Sequence, residues 1–150
     1  VKFDNLNLGV KMKLLKLGQL RYAVYAVYDE NGGCPVLDSL KALGTNASLR
    51  MLHKLREYIP EAGPNFRNPE KVKRLKGPIA EFREQPGRGP KVRTLFFLDG
   101  QKVIVCTNAF EKRDTTPQAE IHAALEARKR YFTDKERGSL KIVCLENDDE

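Results

Sequence analysis

The alternation and recurrence of apolar positions mark off most elements of this chain. Tyr22–Tyr28 (YAVYAVY) is aromatic and β-branched and predicts a strand. Asp29–Gly33 is a run of turn residues. Pro35 suits the first position of a short helix, and Gly44 lies past its end. Asn46 can cap a second helix. There Met51, Leu52, Leu55, Tyr58 and Ile59 recur at helical spacing, and Pro60 is the expected stop. Residues 60–70, rich in Pro, Gly and Asn, read as loop. Lys71–Gly77 is a basic approach to a short strand at Ile79–Arg83, followed by a Gly/Pro-rich loop at Gln85–Pro90. Val92–Leu98 and Gln101–Ala109 are apolar runs on either side of Asp99-Gly100, a strong hairpin signal. Thr116 can cap a third helix with Pro117 at its first position, carrying Ile121, Ala124, Leu125 and Arg128 and ending before Gly138. Leu140–Leu145 can form a last strand, and Glu146–Glu150 is an acidic tail expected to fray. Residues 1–20 mix Lys and Leu without a clean period.

The predicted order is strand, two helices, three strands, helix, strand. That is an α+β fold: a small antiparallel-rich sheet packed against helices, which are expected on one side. The length of 150 residues favours one domain, and 41% hydrophobic residues are enough for a core. The apolar stretch Leu14–Leu20 is broken by Lys16 and Gly18, so neither a membrane helix nor a secretory signal is expected. Three cysteines cannot all pair, which points to reduced thiols and a cytoplasmic setting.

Charge changes the picture more than composition does. The net charge is +7, and its distribution is uneven. Residues 71–113 carry eleven basic and four acidic groups, while the flanking regions are +3 and −3 and cancel. Such a segment favours a polyanionic partner, because neutralised phosphates release counterions. A solvated basic surface is the plainer alternative. No basic amphipathic helix supports a membrane partner.

A two-residue turn at Asp99-Gly100 pairs Leu98 with Gln101 and hence Arg93 with Cys106. Arg93, Leu95 and Phe97 then share a face with Lys102, Ile104 and Cys106, and Asn108, Phe110 and Lys112 follow if the strand is regular. A bulge would bring Arg113 round instead. Arg83, on the adjacent strand, can reach the same region. Arg93 interrupts an apolar run, VRTLFFL, so it must meet water, a carboxylate or a ligand phosphate. Glu81 is the candidate carboxylate.

The string IAEFR at Ile79–Arg83, followed by KVRTLFFLDGQKVIVCTNAFEKRDTTP at Lys91–Pro117, resembles the RelE/ParE superfamily of type II toxins, in particular its HigB-like, phage-derived branch. That branch has an E-[LF]-R strand, an arginine-bearing strand before a short turn, an apolar strand closing in F-x-K-[KR], and a Thr-Pro helix start. CPVLDSL at Cys34–Leu40 and LKG at Leu75–Gly77 add to the likeness. It covers residues 21–131 as a toxin domain, leaving 1–20 and 132–150 as extensions. It implies a RelE-like fold and ribosome-associated cleavage of mRNA without a cofactor or metal. It also implies a cognate antitoxin, in this branch often one with a helix-turn-helix domain. By motif position the implied catalytic residues are Arg83, Arg93, Lys112 and Arg113. Lys73, Arg74, Lys76, Lys91 and Lys102 are the RNA-binding candidates. Relatives often carry a Tyr or His just after the last sheet strand. Here that position holds Arg113-Asp114-Thr115-Thr116, so the resemblance names no general acid.

The chemistry is consistent with those residue types. RNA can be cut by its own 2′-hydroxyl, given a base, positive charge on the phosphorane oxygens and an acid for the leaving oxygen. Arginine supplies charge and stays protonated. A lysine among cations can act as the base: Lys112 beside Arg113, with Lys76 in reserve. His53 and His122 fall off the hairpin surface. Cys34 sits at a helix start with no histidine beside it, and Cys106 and Cys144 are expected to pack as small hydrophobes. There is no P-loop, HExxH or nucleophile elbow, and no metal-ligand spacing. Two alternatives use the same fold: a non-catalytic phage-derived module that binds RNA or protein, and a ParE-like gyrase poison.

Overall fold

In a computed structural model, which describes residues 12–19, 22–62, 72–85, 88–100, 102–111 and 115–144, ten elements follow one another. They are β1 (Lys13–Gln19), β2 (Ala23–Val27), α1 (Pro35–Ala42), α2 (Thr45–Ala62), β3 (Val72–Arg74), β4 (Ala80–Glu84), β5 (Val92–Asp99), β6 (Val103–Glu111), α3 (Gln118–Glu136) and β7 (Lys141–Cys144). The strands form one seven-stranded sheet in the order β3-β4-β5-β6-β2-β1-β7. Neighbours run antiparallel except β2 with β6 and β1 with β7, so the fold is α+β with a mostly antiparallel sheet.

The strands near the middle are apolar on both faces, and each face needs its own cover. Leu15, Val24, Phe82, Phe96 and Ile104 pack against Val36 and Leu40 of α1 and Met51 and Leu55 of α2. Leu14, Leu95, Phe97 and Val105 pack on the other face against Ala124 and Tyr131 of α3. Helices therefore lie on both sides of the sheet, not on one as the element order suggested. The same two-sided burial explains why β1 has no readable period. Leu14, Leu15 and Leu17 are all buried, divided between the two cores. The strand lies within the stretch read as an N-terminal extension and pairs with β7, from the C-terminal one.

Helix ends differ from the sequence expectation in small ways. Pro35 does open α1. Helix α2 starts at Thr45, so Asn46 lies inside it rather than capping it, and it runs two residues past Pro60. Pro117 is the N-cap of α3, its carbonyl accepting from the backbone N–H of Glu120, and Thr116 is left for another partner. His53 is exposed on α2, not on its apolar stripe.

The hairpin forms in a different register. Asp99 pairs with Val103, and Gly100 just after it has φ +68°, a conformation glycine adopts without strain. The cause is tertiary. The Asp99 carboxylate accepts hydrogen bonds from Tyr131 Oη (2.6 Å) and Lys135 Nζ (2.7 Å) of α3, which holds Asp99 in the ladder instead of the turn. A second irregularity lies between Leu95 and Phe96, where the partner strand steps from Asn108 to Cys106 and leaves Thr107 as an extra residue. The first shift turns Ile104 and Cys106 to the α1–α2 face. The second turns the strand back, so Arg93 lies opposite Phe110 rather than Cys106 and shares its face with Asn108.

Burial pushes the Asp99 carboxyl up, but the hydrogen bonds from Lys135 and Tyr131, with the charges of Lys135 and Arg128, outweigh it and hold it below the usual carboxylate range. A depressed carboxyl stabilises the fold above its unfolded value, about 3.9, and that contribution is lost as pH falls through the folded value. Asp99→Asn is expected to cost about 1–2 kcal/mol at pH 7 in urea unfolding. The gap from wild type should close as the pH approaches 2.

Candidate functional site

Strand β4 alternates cleanly. Ala80 and Phe82 face the α1–α2 core, and Glu81 and Arg83 face the α3 side. The register places Arg83 directly opposite Arg93 on β5, and like charges so placed repel. Glu81, two residues along β4 on the same face, resolves the conflict. Its Oε1 accepts from Arg83 Nε at 3.1 Å and lies 3.6 Å from Arg93 Nε. Its Oε2 accepts from the Thr116 hydroxyl just before α3. The Glu81 side chain is 2% exposed, those of Arg93 and Arg83 13% and 29%. The arginines therefore reach from a buried carboxylate towards solvent. Burial lowers the Arg93 pKa from its ordinary value, Glu81 opposes that shift and Arg83 adds to it. The guanidinium remains charged throughout the physiological range.

These side chains floor an open cleft of about 520 Å³. One wall comes from β3 and the turn after it, with Lys73, Arg74 and Lys76; the other comes from Thr115, Thr116 and Gln118 at the start of α3. Lys73 stands opposite Glu81 in the ladder. The turn closes with Leu75 N–H on the Ile79 carbonyl and Ile79 N–H on the Lys76 carbonyl. Gly77 sits in its left-handed position at φ +55°, which is why the Leu-Lys-Gly string ends in glycine. Five basic side chains thus line the cleft with one carboxylate, and two of them pair with it. Near the cleft, the β6 bulge is tied to α3: Asn108 Nδ2 donates to the Glu120 carbonyl at 3.2 Å and to its Oε1 at 2.8 Å.

Set against the sequence expectations, the structure brings together Arg83, Arg93, Lys73, Arg74 and Lys76. Two RNA-binding candidates fall elsewhere. Lys91 is exposed ahead of β5, outside the cleft lining. Lys102 lies in the hairpin turn at the opposite end of β5, about 20 Å from Arg93 at the usual rise per residue. Lys112 and Arg113 lie outside the described residues. Glu81, considered only as a salt-bridge partner, is the hub of the site, and Thr116 serves it instead of a helix cap. The signal for Glu81 was present: in a strand, Glu-x-Arg puts both side chains on one face.

The other chemistry-bearing residues are not near this cleft. His53 and His122 are exposed on α2 and α3. Cys34 and Cys106 are buried, but Cys144 is exposed on β7, contrary to its expected packing as a small hydrophobe, because β7 is an edge strand with little cover. A second, mostly apolar cleft of about 510 Å³ lies between α3 and the segment joining β2 to α1. Among the described residues no group of His, Cys, Asp and Glu could hold a metal ion, and no helix is long and apolar enough to cross a membrane.

Two comparisons bear on this arrangement. The model of a family described as phage-derived protein Gp49-like (DUF891) matches residues 38–130, a span that includes every residue lining the basic cleft. No curated protein matches the chain.

Thiol chemistry separates the three cysteines. Burial pushes the Cys34 thiol up, and pushes that of the fully buried Cys106 to about 12. A disulfide reagent added to the native protein at pH 8 should therefore modify Cys144 alone, with Cys34 and Cys106 reacting only in denaturant. Mass spectrometry of the labelled peptides checks this.

Proposed function

The chain belongs to the phage-derived Gp49-like family, a family tied to RelE-like toxin–antitoxin proteins, and from that premise we propose that it is a toxin of the HigB-like kind. In this reading it cuts mRNA at the ribosome, in the cytoplasm, without a metal. The observation that carries the proposal is the pair Arg83 and Arg93 on the floor of a cleft whose wall adds Lys73, Arg74 and Lys76. Planar guanidinium forks suit phosphate oxygens, and a partly buried site strengthens their field where charge develops.

The reaction follows from RNA itself. The 2′-hydroxyl attacks the adjacent phosphorus, and the 5′-oxygen of the next nucleotide leaves. One fragment ends in a 2′,3′-cyclic phosphate and the other begins with a 5′-hydroxyl. Arg83 and Arg93 stabilise the phosphorane oxygens. The 2′-hydroxyl proton goes to a lysine, Lys76 on the cleft wall or Lys112 in the segment after Glu111, and the leaving 5′-oxygen takes its proton from water. The natural partner is an antitoxin whose acidic or amphipathic segment covers the basic cleft.

One observation favours a second reading, a binding module without catalysis: among the described residues, no histidine or tyrosine lines the cleft. The same charges that serve cleavage also serve binding. Induction in a bacterial host, with primer extension on abundant transcripts, separates the readings. Growth arrest with discrete mRNA cuts supports the ribonuclease. Arrest without cuts indicates a gyrase poison, and no arrest indicates a binding module.

Arg83→Ala and Arg93→Ala are each expected to reduce cleavage about 10²–10³-fold while the protein still folds, since each leaves Glu81 one arginine and Thr116. Of Lys76→Met and Lys112→Met, the one that removes the base should abolish cuts and keep RNA binding within about threefold. Gel-based cleavage and fluorescence anisotropy measure the two effects.

A further inference from the structure

The two arginines meet Glu81 in a particular way. Both approach through Nε, and both approach the same oxygen, Oε1. Arg83 is hydrogen-bonded through Nε and Arg93, at 3.6 Å, is an ion pair through Nε, so both keep their Nη donors for another acceptor. Both guanidinium groups line the cleft, so their remaining donors are offered to what the cleft holds. Because both Nε atoms stand within 3.6 Å of one carboxylate oxygen, the two guanidinium groups lie beside one another at one place on the cleft floor. Glu81 itself has little freedom to move. It lies on β4, paired on both sides by β3 and β5, its side chain is almost wholly buried, and Thr116 anchors its second oxygen.

We infer that Glu81 is a positioning residue that aims the Nη forks of Arg83 and Arg93 at a single phosphodiester, rather than leaving them to bind two successive phosphates. The inference rests on the RNA-binding reading above and adds to it the number of phosphates taken at the floor and the group that sets the geometry. The physical case is preorganisation. A free arginine loses rotamer freedom when its side chain is ordered, and the buried carboxylate imposes much of that order before the substrate arrives. It also keeps two like charges on facing positions, which would otherwise push apart. The cleft remains basic because three further cations stand on its wall.

Removing the carboxylate has opposite effects on attraction and on aim, so a double-mutant cycle separates them. The probe is a single-stranded oligoribonucleotide with 2′-O-methyl groups, which binds without being cut. In the wild-type background, Arg93→Ala should weaken binding about tenfold, and in the Glu81→Gln background about twofold or less. Glu81→Gln alone should bind within about threefold of wild type, because the loss of aim is offset by one fewer negative charge. Arg83→Ala and Arg93→Ala combined should lower the salt dependence by the contribution of about one phosphate, not two. On the cleavable oligonucleotide, Glu81→Gln should lower kcat at least about thirtyfold with KM nearly unchanged.

Glu81→Asp, which keeps the charge and retracts it by one methylene, is the second variant if Glu81→Gln does not fold. It should reduce the Arg93→Ala penalty in the same way. An Arg93→Ala penalty equal in wild type and in the folded Glu81 variant overturns the positioning role. So does a salt dependence that falls by two phosphates. Failure of the wild type to bind RNA overturns both this inference and the reading it rests on. Binding with the expected coupling but no cleavage supports the clamp and overturns only the nuclease.

Discussion

Charge balance at one buried carboxylate organises this molecule's basic face. Strands β4 and β5 bring Arg83 and Arg93 to facing positions, where like charges repel, and a negative group beside both relieves that repulsion. Glu81 does so from inside the sheet, where an unpaired carboxylate would be costly. Each partner therefore needs the other. The arginines make the buried carboxylate tolerable, and the carboxylate makes the paired arginines possible. Thr116 joins the start of α3 to the same group, so one wall of the cleft is tied to its floor.

The rest of the fold supplies the frame for that contact. Phe82 and Phe96 anchor β4 and β5 on one face, and Leu95 and Phe97 anchor β5 on the other. Close packing on both faces leaves little room for either strand to slide. At the far end of the hairpin, Tyr131 and Lys135 hold Asp99 from α3. The helix is therefore fixed to the hairpin at its turn through Asp99 and midway along it through Asn108, and its start is tied to β4 through Thr116. Phe97 contributes between them, its ring meeting Tyr131 edge-on at 5.3 Å. A helix held to the hairpin at two places and to β4 at its start holds the cleft between them to a defined width.

A basic cleft serves binding and cleavage alike, and the difference lies in aim. Lys73 and Lys76 sit on a short edge strand and an exposed turn, positions suited to attracting a polyanion. Arg83 and Arg93 are partly buried and directed by Glu81, which suits them to act on one oxyanion. The family model spans the whole of this arrangement but not β1, β2 or β7. Those three strands extend the sheet beyond β6, on the side away from the cleft.

The sequence by itself determined the α+β class, most of the elements, the α1 start at Pro35 and the location of the basic segment. These depend on local propensity and on periodicity within one element, which a single chain displays. It also grouped Arg83 with Arg93, because an Arg-bearing strand beside another is readable from spacing. Only the tertiary structure decided the rest. Strand β1 was illegible because burial on both faces erases the alternation that marks a strand. The cover on both sides of the sheet could not be read because element order does not say which face a helix takes. The hairpin register moved because Asp99 is held by α3, a partner 32 residues away; the turn shift and the bulge at Thr107 add, so Arg93 lies opposite Phe110, and the bulge returns Asn108 and Phe110 to its face. Glu81 became central for the same reason. Its type and position were plain in the sequence, but its partners come from β4, β5 and the start of α3, and only folding brings them to one carboxylate.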